Sequence, residues 1–293
     1  MASTPFGFFP RRRLASPMSG AWPANPIPGG SEFEAFRDAR AGEDVRWIDW
    51  ISSRRWGEKL VRLAEEARAP GLLMVEGGCC GKASPLGSIA LELAKLLSEE
   101  ILYSDPESLI GLVAGLRSGL VREPLQAGPT WKDRILAKLK RVLQEEEERE
   151  GKLPKLLEAV RPWLAFASAV VFFLPICCLF LDQTFERFLP RLRAPGREVI
   201  LFALAGRWEL QLPSAQALWT FRDPSGFSLR APLGSRRFRE TFSSHASERL
   251  RELSSRLAFF GFRRGLEWEI VQEGDSARER IGRMAAFRRR VLG

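Results

Sequence analysis

Residues 72–84 read LLMVEGGCCGKAS, an apolar run that gives way to glycines and then to a Gly-Lys pair. That order of residue types raises the question of phosphate chemistry. A phosphate-cradling loop needs Gly-x-x-x-x-Gly-Lys-Ser/Thr. Its backbone amides ring the phosphates, the lysine reaches the terminal ones and the hydroxyl binds Mg²⁺. Counting back from Gly81 and Lys82, Glu76 stands where the first glycine belongs and Ala83 where the hydroxyl belongs. A carboxylate aimed at a phosphate repels it. The spacing therefore argues against nucleotide hydrolysis, and no cofactor is expected.

The other residues that could do chemistry are few. Four cysteines form two vicinal pairs, Cys79-Cys80 and Cys177-Cys178, which is neither a secreted disulfide framework nor a C-x-x-C metal spacing. A reducing cytoplasm fits them. There is a single histidine, so Ser/His, Cys/His or imidazole–metal chemistry would have to pass through His245. It sits in SSHASERL, a polar stretch at a helical start, where exposure rather than catalysis is expected. No catalytic residue is assigned, and the chain is read as a non-enzyme.

Charge is unevenly spread. Residues 1–182 hold 24 Lys/Arg against 24 Asp/Glu, and residues 183–293 hold 21 against 12, which accounts for the whole net charge of +9. Every basic residue after Lys155 is Arg. Such a surface suits nucleic acid, an anionic surface or an acidic partner, or is a solvated face in an arginine-rich composition. No helix-turn-helix, zinc finger or aromatic RNA-binding signature accompanies the arginines, so nucleic acid is the alternative reading.

Stepping along the chain, strands alternate with helices. Continuous apolar runs at 71–76, 108–116, 167–176 and 197–205 read as buried strands, and 266–271 as a further strand. Helical spacing appears at 84–102, 131–150, 152–164, 183–193, 237–261 and 276–292. Residues 207–232 are broken by Pro and Asp-Pro-Ser-Gly, as in hairpin-like additions at a sheet edge. The pattern predicts an α/β fold with a doubly wound, mostly parallel sheet. Residues 163–181, WLAFASAVVFFLPICCLFL, carry no charge over 19 positions and so meet the length rule for a membrane span. The β-branched and aromatic cluster AVVFF and the central Pro175 favour a buried strand instead.

At residues 42–50, GEDVRWIDW resembles the Gly-Asp-Asp-x-Arg-x-Ile-Asp-Trp signature of the bacterial domain of unknown function fifty-eight family, whose members carry a von Willebrand factor A-like domain. APGREVILFAL and LWTFRDPSGFSL look like that family's later strand and hairpin, so the likeness covers most of residues 14–293. The motif residues are Gly42, Asp44, Arg46, Asp49 and Trp50. Read physically, Gly42 suits a turn, Arg46 can pair with Asp44 or Asp49, and Trp47, Ile48 and Trp50 are expected to supply buried area that clamps the arm onto the domain. The organisation expected is an extended Pro/Gly/Arg-rich arm over 1–30, a motif region over 31–70 packed on the core, and a von Willebrand factor A-like domain over 71–293 with added strands and helices.

The resemblance implies a protein-interaction module, a partner or adaptor of a MoxR-type AAA+ ATPase in the assembly or maturation of protein complexes. Domains of this kind bind a divalent ion through Asp-x-Ser-x-Ser after the first strand. Here those three positions fall on Glu76, Gly78 and Cys80. Two hydroxyls are gone, and glycine or thiol cannot replace hard oxygen ligands for Mg²⁺, so the site is degenerate. In a doubly wound sheet the loops after the first strand and after AVVFF meet at one edge, which should bring Cys79, Cys80, Cys177 and Cys178 together. Such a thiol cluster could hold a soft metal or a disulfide, or could be small residues filling an inactive pocket.

Overall fold

The computed structural model of the protein describes residues 27–28, 32–65, 71–77, 85–116, 119–144, 153–181, 183–192, 197–213, 218–222, 228–264 and 266–292. Most of the proposed arm, and Gly78, Cys79, Cys80, Lys82 and Ala83, lie outside them.

The core is a six-stranded sheet. In chain order its strands are β4 (Gly71–Glu76), β5 (Leu109–Leu116), β6 (Gly119–Ala127), β7 (Ala169–Pro175), β8 (Glu198–Ala205) and β11 (Leu266–Gln272). They lie in the order β11-β8-β7-β4-β5-β6, all parallel except β6, which runs antiparallel to β5. Helices cover both faces. On one side α2 (Pro85–Ser104), α3 (Pro129–Gln144) and α9 (Ala277–Leu292) meet Leu72, Met74, Val171, Phe173, Ile200 and Phe202. On the other, α4 (Leu153–Val160), α5 (Ile176–Leu181), α6 (Thr184–Leu192) and α8 (Arg236–Arg264) meet Leu73, Val75, Val170, Phe172, Leu201 and Ala203. Alternate strand residues thus feed opposite layers, and each central strand is apolar along nearly its whole length, Glu76 ending β4 and Glu198 opening β8. This is the mixed α/β architecture with a mostly parallel sheet that the sequence predicts.

The uncharged run at 163–181 is resolved by this layering. It ends a 3-10 turn at Trp163, forms β7 and then turns into α5. All seven residues of β7 are buried, with Phe172 edge-on to Phe185 of α6 at 5.1 Å and Phe173 stacked on Phe202 at 5.8 Å. Protein supplies the apolar surroundings, and among the described residues no helix is long and apolar enough to cross a membrane.

Two elements depart from the expected series. Strand β6 carries Arg122, Glu123 and Pro124, which hide its strand character in the sequence. An edge strand tolerates them, because one side has no ladder to complete, and the register slips opposite Ile110/Leu112, where Pro124 lies. The stretch Pro175-Ile-Cys-Cys is not a loop; Pro175 closes β7 and the cysteines begin α5.

Residues 27–65 build a separate three-stranded antiparallel sheet of β1 (Ile27–Pro28), β2 (Glu32–Asp38) and β3 (Leu60–Glu65), in the order β1-β3-β2, with the short helix α1 (Trp50–Trp56). The stretch after the motif holds both a short helix, α1, and a strand, β3. The buried apolar residues here, Ile48, Leu60 and Val61, belong to neither layer of the main core. Between Gln211 and α8, β9 (Leu218–Arg222) pairs antiparallel with β10 (Ser228–Pro232), and among the described residues with no other strand.

Candidate functional site at the carboxyl edge of the sheet

In an open α/β sheet, ligands bind beyond the carboxyl ends of the strands, where the strand order reverses. Here that point lies between β4 and β7. Glu76 closes β4 opposite Phe173 and has no exposed surface. The Gly77 amide donates to the Phe173 carbonyl at 3.1 Å. A Cβ on Gly77 would stand 2.4 Å from Leu174 Cδ2 and 3.0 Å from Leu156 Cδ2. A side chain here would have to displace the ends of these two leucines, so core packing favours glycine without any phosphate.

Across the reversal point, the Cys178 thiol lies 3.9 Å from the Gly77 carbonyl oxygen, a weak S–H donor contact. The end of β4 and the start of α5, which follows β7 directly, therefore lie side by side at this edge. Cys177 and Cys178 are both free thiols on the first turn of α5. Among the described residues, no group of three or more His, Cys, Asp or Glu side chains is placed to hold a metal ion.

The next strand adds residues that the sequence did not single out. After Ala205 ends β8, Gly206 starts α7 (Arg207–Leu210), and the Gly206 amide donates to Glu209 Oε2 at 2.7 Å. The Arg207 amide donates to Glu273 Oε2 at 2.9 Å, tying α7 to the turn after β11. Burial raises the Glu209 carboxyl above the usual carboxylate range, and bonds from Gly206 and Cys177 oppose that rise. The Cys177 thiol is pushed up by the adjacent Cys178 thiol, by burial and by the charge of Glu209. Cys177, exposed as a residue, lines a cavity of about 640 Å³ together with Phe180, Glu209, Leu210, Phe238 and Phe242, with His245 and Arg249 among its other walls.

A raised thiol pKa means little thiolate, and the thiolate is the nucleophile. Iodoacetamide at pH 8 is therefore expected to alkylate Cys177 at least about tenfold more slowly than a free cysteine. Peptide mapping that finds it labelled as fast as a model thiol would refute this environment.

A second cavity, of about 680 Å³, opens on the other side of α7 and the start of α8. Arg207, Trp208, Gln211, Arg236, Arg239 and Ser243 line it. Arg236 pairs with Glu240 at 2.7 Å, and Arg239 donates to the Leu233 carbonyl. Elsewhere the C-terminal arginines serve the fold: Arg256 pairs with Glu186, and Arg280 with Glu269 and Asp275. His245 is exposed, 3.8 Å from Glu248.

The motif residues lie apart from this edge, in the three-stranded unit. Gly42 takes φ 84° at the third position of a turn closed by the Glu43 amide on the Arg40 carbonyl, a backbone that glycine adopts without strain. Asp44 accepts from the Arg46 amide at 3.0 Å, pairs with its guanidinium at 2.6 Å, and is held below the usual carboxylate range by that pairing. Asp49 caps α1 through the Ser52 amide at 2.9 Å. Arg37 holds the neighbouring Glu43 down to about 2. The expectation of a buried aromatic clamp fails in part. Ile48, bridged to Val61 of β3, is buried, but Trp47 and Trp50 are 42% and 58% exposed.

No protein-family model matches the chain, and no curated protein matches it. Among solved structures it is similar to the conserved hypothetical protein BatB from Bacteroides thetaiotaomicron, with a TM-score of 0.37 and 8% identity over 76% of this chain and 99% of that one. It is similar also to an aerotolerance-related membrane protein from Bacteroides fragilis, with a TM-score of 0.39 and 9% identity over 75% of this chain and 99% of that one.

Proposed function

We propose that the chain is a non-enzymatic protein-interaction module with a von Willebrand factor A-type domain, acting as partner or adaptor of a MoxR-type AAA+ ATPase in the assembly or maturation of protein complexes. The observation that carries this reading is the make-up of the carboxyl edge between β4 and β7. Glu76 is wholly buried, Gly77 is packed by Leu174 and Leu156, and the facing group is the Cys178 thiol. Hard cations need several oxygen ligands, and among the described residues this edge offers one enclosed carboxylate beside soft sulfur. Such an edge is read here as a recognition surface. The arrangement of six strands, with the third antiparallel, supports the domain type, and the GEDVRWIDW motif supports the family and through it the ATPase partner.

The test mixes the purified protein with the MoxR-type ATPase hexamer encoded nearest to it and follows both by size-exclusion chromatography. Coelution, with no ATP turnover by the isolated chain, is the expected result. Separate elution, or hydrolysis by the chain alone, would contradict the proposal.

A further inference from the structure

The two cavities at the carboxyl edge are lined by consecutive residues of the same short helix: Arg207 and Trp208 face one, Glu209 and Leu210 the other. Helix α8 continues the division, with Arg236, Arg239 and Ser243 on the first side and Phe238, Phe242 and Ala246 on the second. An arginine-lined hollow and an apolar hollow thus flank one ridge. From this we infer that the ridge docks an acidic, apolar-anchored peptide segment of the protein partner, with carboxylates in the first cavity and an aliphatic or aromatic side chain in the second. The inference rests on the protein-interaction reading and names the chemistry of the partner.

Three features set the preference for carboxylates. The first cavity holds three arginines against Glu240, whose carboxylate is already paired with Arg236, so its net charge is positive. Arg207 has no ion pair among the described residues, which leaves its planar fork open for a bidentate carboxylate. The cavity also lies at the N-terminus of α8, a 29-residue helix capped by Ser235 through the Phe238 amide at 3.3 Å. The dipole there favours an anion within the first turn.

The second cavity decides between a peptide and nucleic acid. Phe180, Leu210, Phe238 and Phe242 give it apolar walls, and burial has already raised the Glu209 carboxyl. A phosphodiester strand would need a continuous basic track, whereas here the arginine-lined hollow gives way to a mostly apolar one that also carries the Glu209 carboxyl. A peptide presents an acid and an apolar side chain within a few residues of each other. Interfaces of this kind concentrate their affinity in anchors seated in pockets, with arginine and tryptophan prominent among them.

The experiment uses fluorescence anisotropy with the full chain and a fluorescein-labelled peptide of alternating glutamate and leucine. Saturable binding is expected, weakened at least about tenfold when glutamine replaces glutamate, and also when serine replaces leucine. The double variant Arg207→Glu/Arg236→Glu, both sites being exposed, is expected to lose the same tenfold without a change in melting temperature. The proposal is overturned if no saturable binding occurs, if the glutamine peptide binds as well, or if an oligothymidylate displaces the peptide at lower concentration than unlabelled peptide does. Should the double variant not fold, the peptide arms still decide. If the ATPase hexamer binds the double variant as well as it binds the unaltered chain, this inference fails and the functional proposal stands. If the hexamer binds neither while the acidic peptide saturates, the reverse holds.

Discussion

Replacing Phe172 with alanine is expected to lower the unfolding free energy by about 3–5 kcal/mol, the usual loss when a large aromatic leaves a packed core. Phe172 is fully buried in the middle of β7, pairs with Leu201 and Val75 on the neighbouring strands, and meets Phe185 edge-to-face. Truncation removes both the transfer term and the ring contact, and leaves a cavity between sheet and helix that the strands cannot close. Since small domains unfold with about 5–15 kcal/mol, the urea midpoint should drop by a large fraction at an unchanged slope. The control is Phe259→Ala, at a residue 56% exposed, which is expected to stay within about 0.5 kcal/mol. A Phe172→Ala protein as stable as the control would mean that residues 163–181 do not form the core strand.

The second large effect is expected at Arg197. Its guanidinium donates to three carbonyls that no regular element satisfies: Ala167 at 3.2 Å, Leu192 at 2.8 Å, and Leu164. These belong to the turn before β7 and the end of α6, so one side chain binds the entrance of the strand to two helix termini. Burial lowers its pKa, yet an arginine remains charged. Arg197→Met should be destabilising by about 3 kcal/mol, because three acceptors lose a charged donor together. Arg197→Lys should recover less than half, since an ammonium cannot reach three acceptors in the plane of a guanidinium. Full rescue by lysine, measured by the same urea unfolding, would show that charge rather than the fork matters.

The sheet was legible wherever two helical layers cover it. Strands β4, β5, β7 and β8 are buried on both faces, so their apolar runs are unbroken and their identity needs no neighbour. Strand β6 was hidden because an edge strand can carry Arg122, Glu123 and Pro124 without losing its partner β5. In the motif, the caps made by Asp44 and Asp49 follow from residue type and spacing, but the exposure of Trp47 and Trp50 does not. Their rings would be covered only if a surface faced them, and composition cannot say which surface that is.

The candidate site was half visible. That the carboxyl ends of β4 and β7 are neighbours follows from topology, and Cys178 on α5 does lie beside Gly77. Cys79 and Cys80 lie outside the described residues. Arg207 and Glu209 went unnoticed because α7 spans only four residues, too few for periodicity to register. The signal was present all the same. Gly206-Arg-Trp-Glu directly follows a buried strand, where the carboxyl-end rule locates binding loops.

The central claim is that this edge recognises protein instead of holding a hard cation. Its most direct test titrates the chain with Mn²⁺ and follows the paramagnetic resonance of the free ion. An undiminished free-ion signal at millimolar protein is the expected result. Saturation at one ion per chain, displaced by Mg²⁺ and abolished by Glu76→Gln, would contradict it.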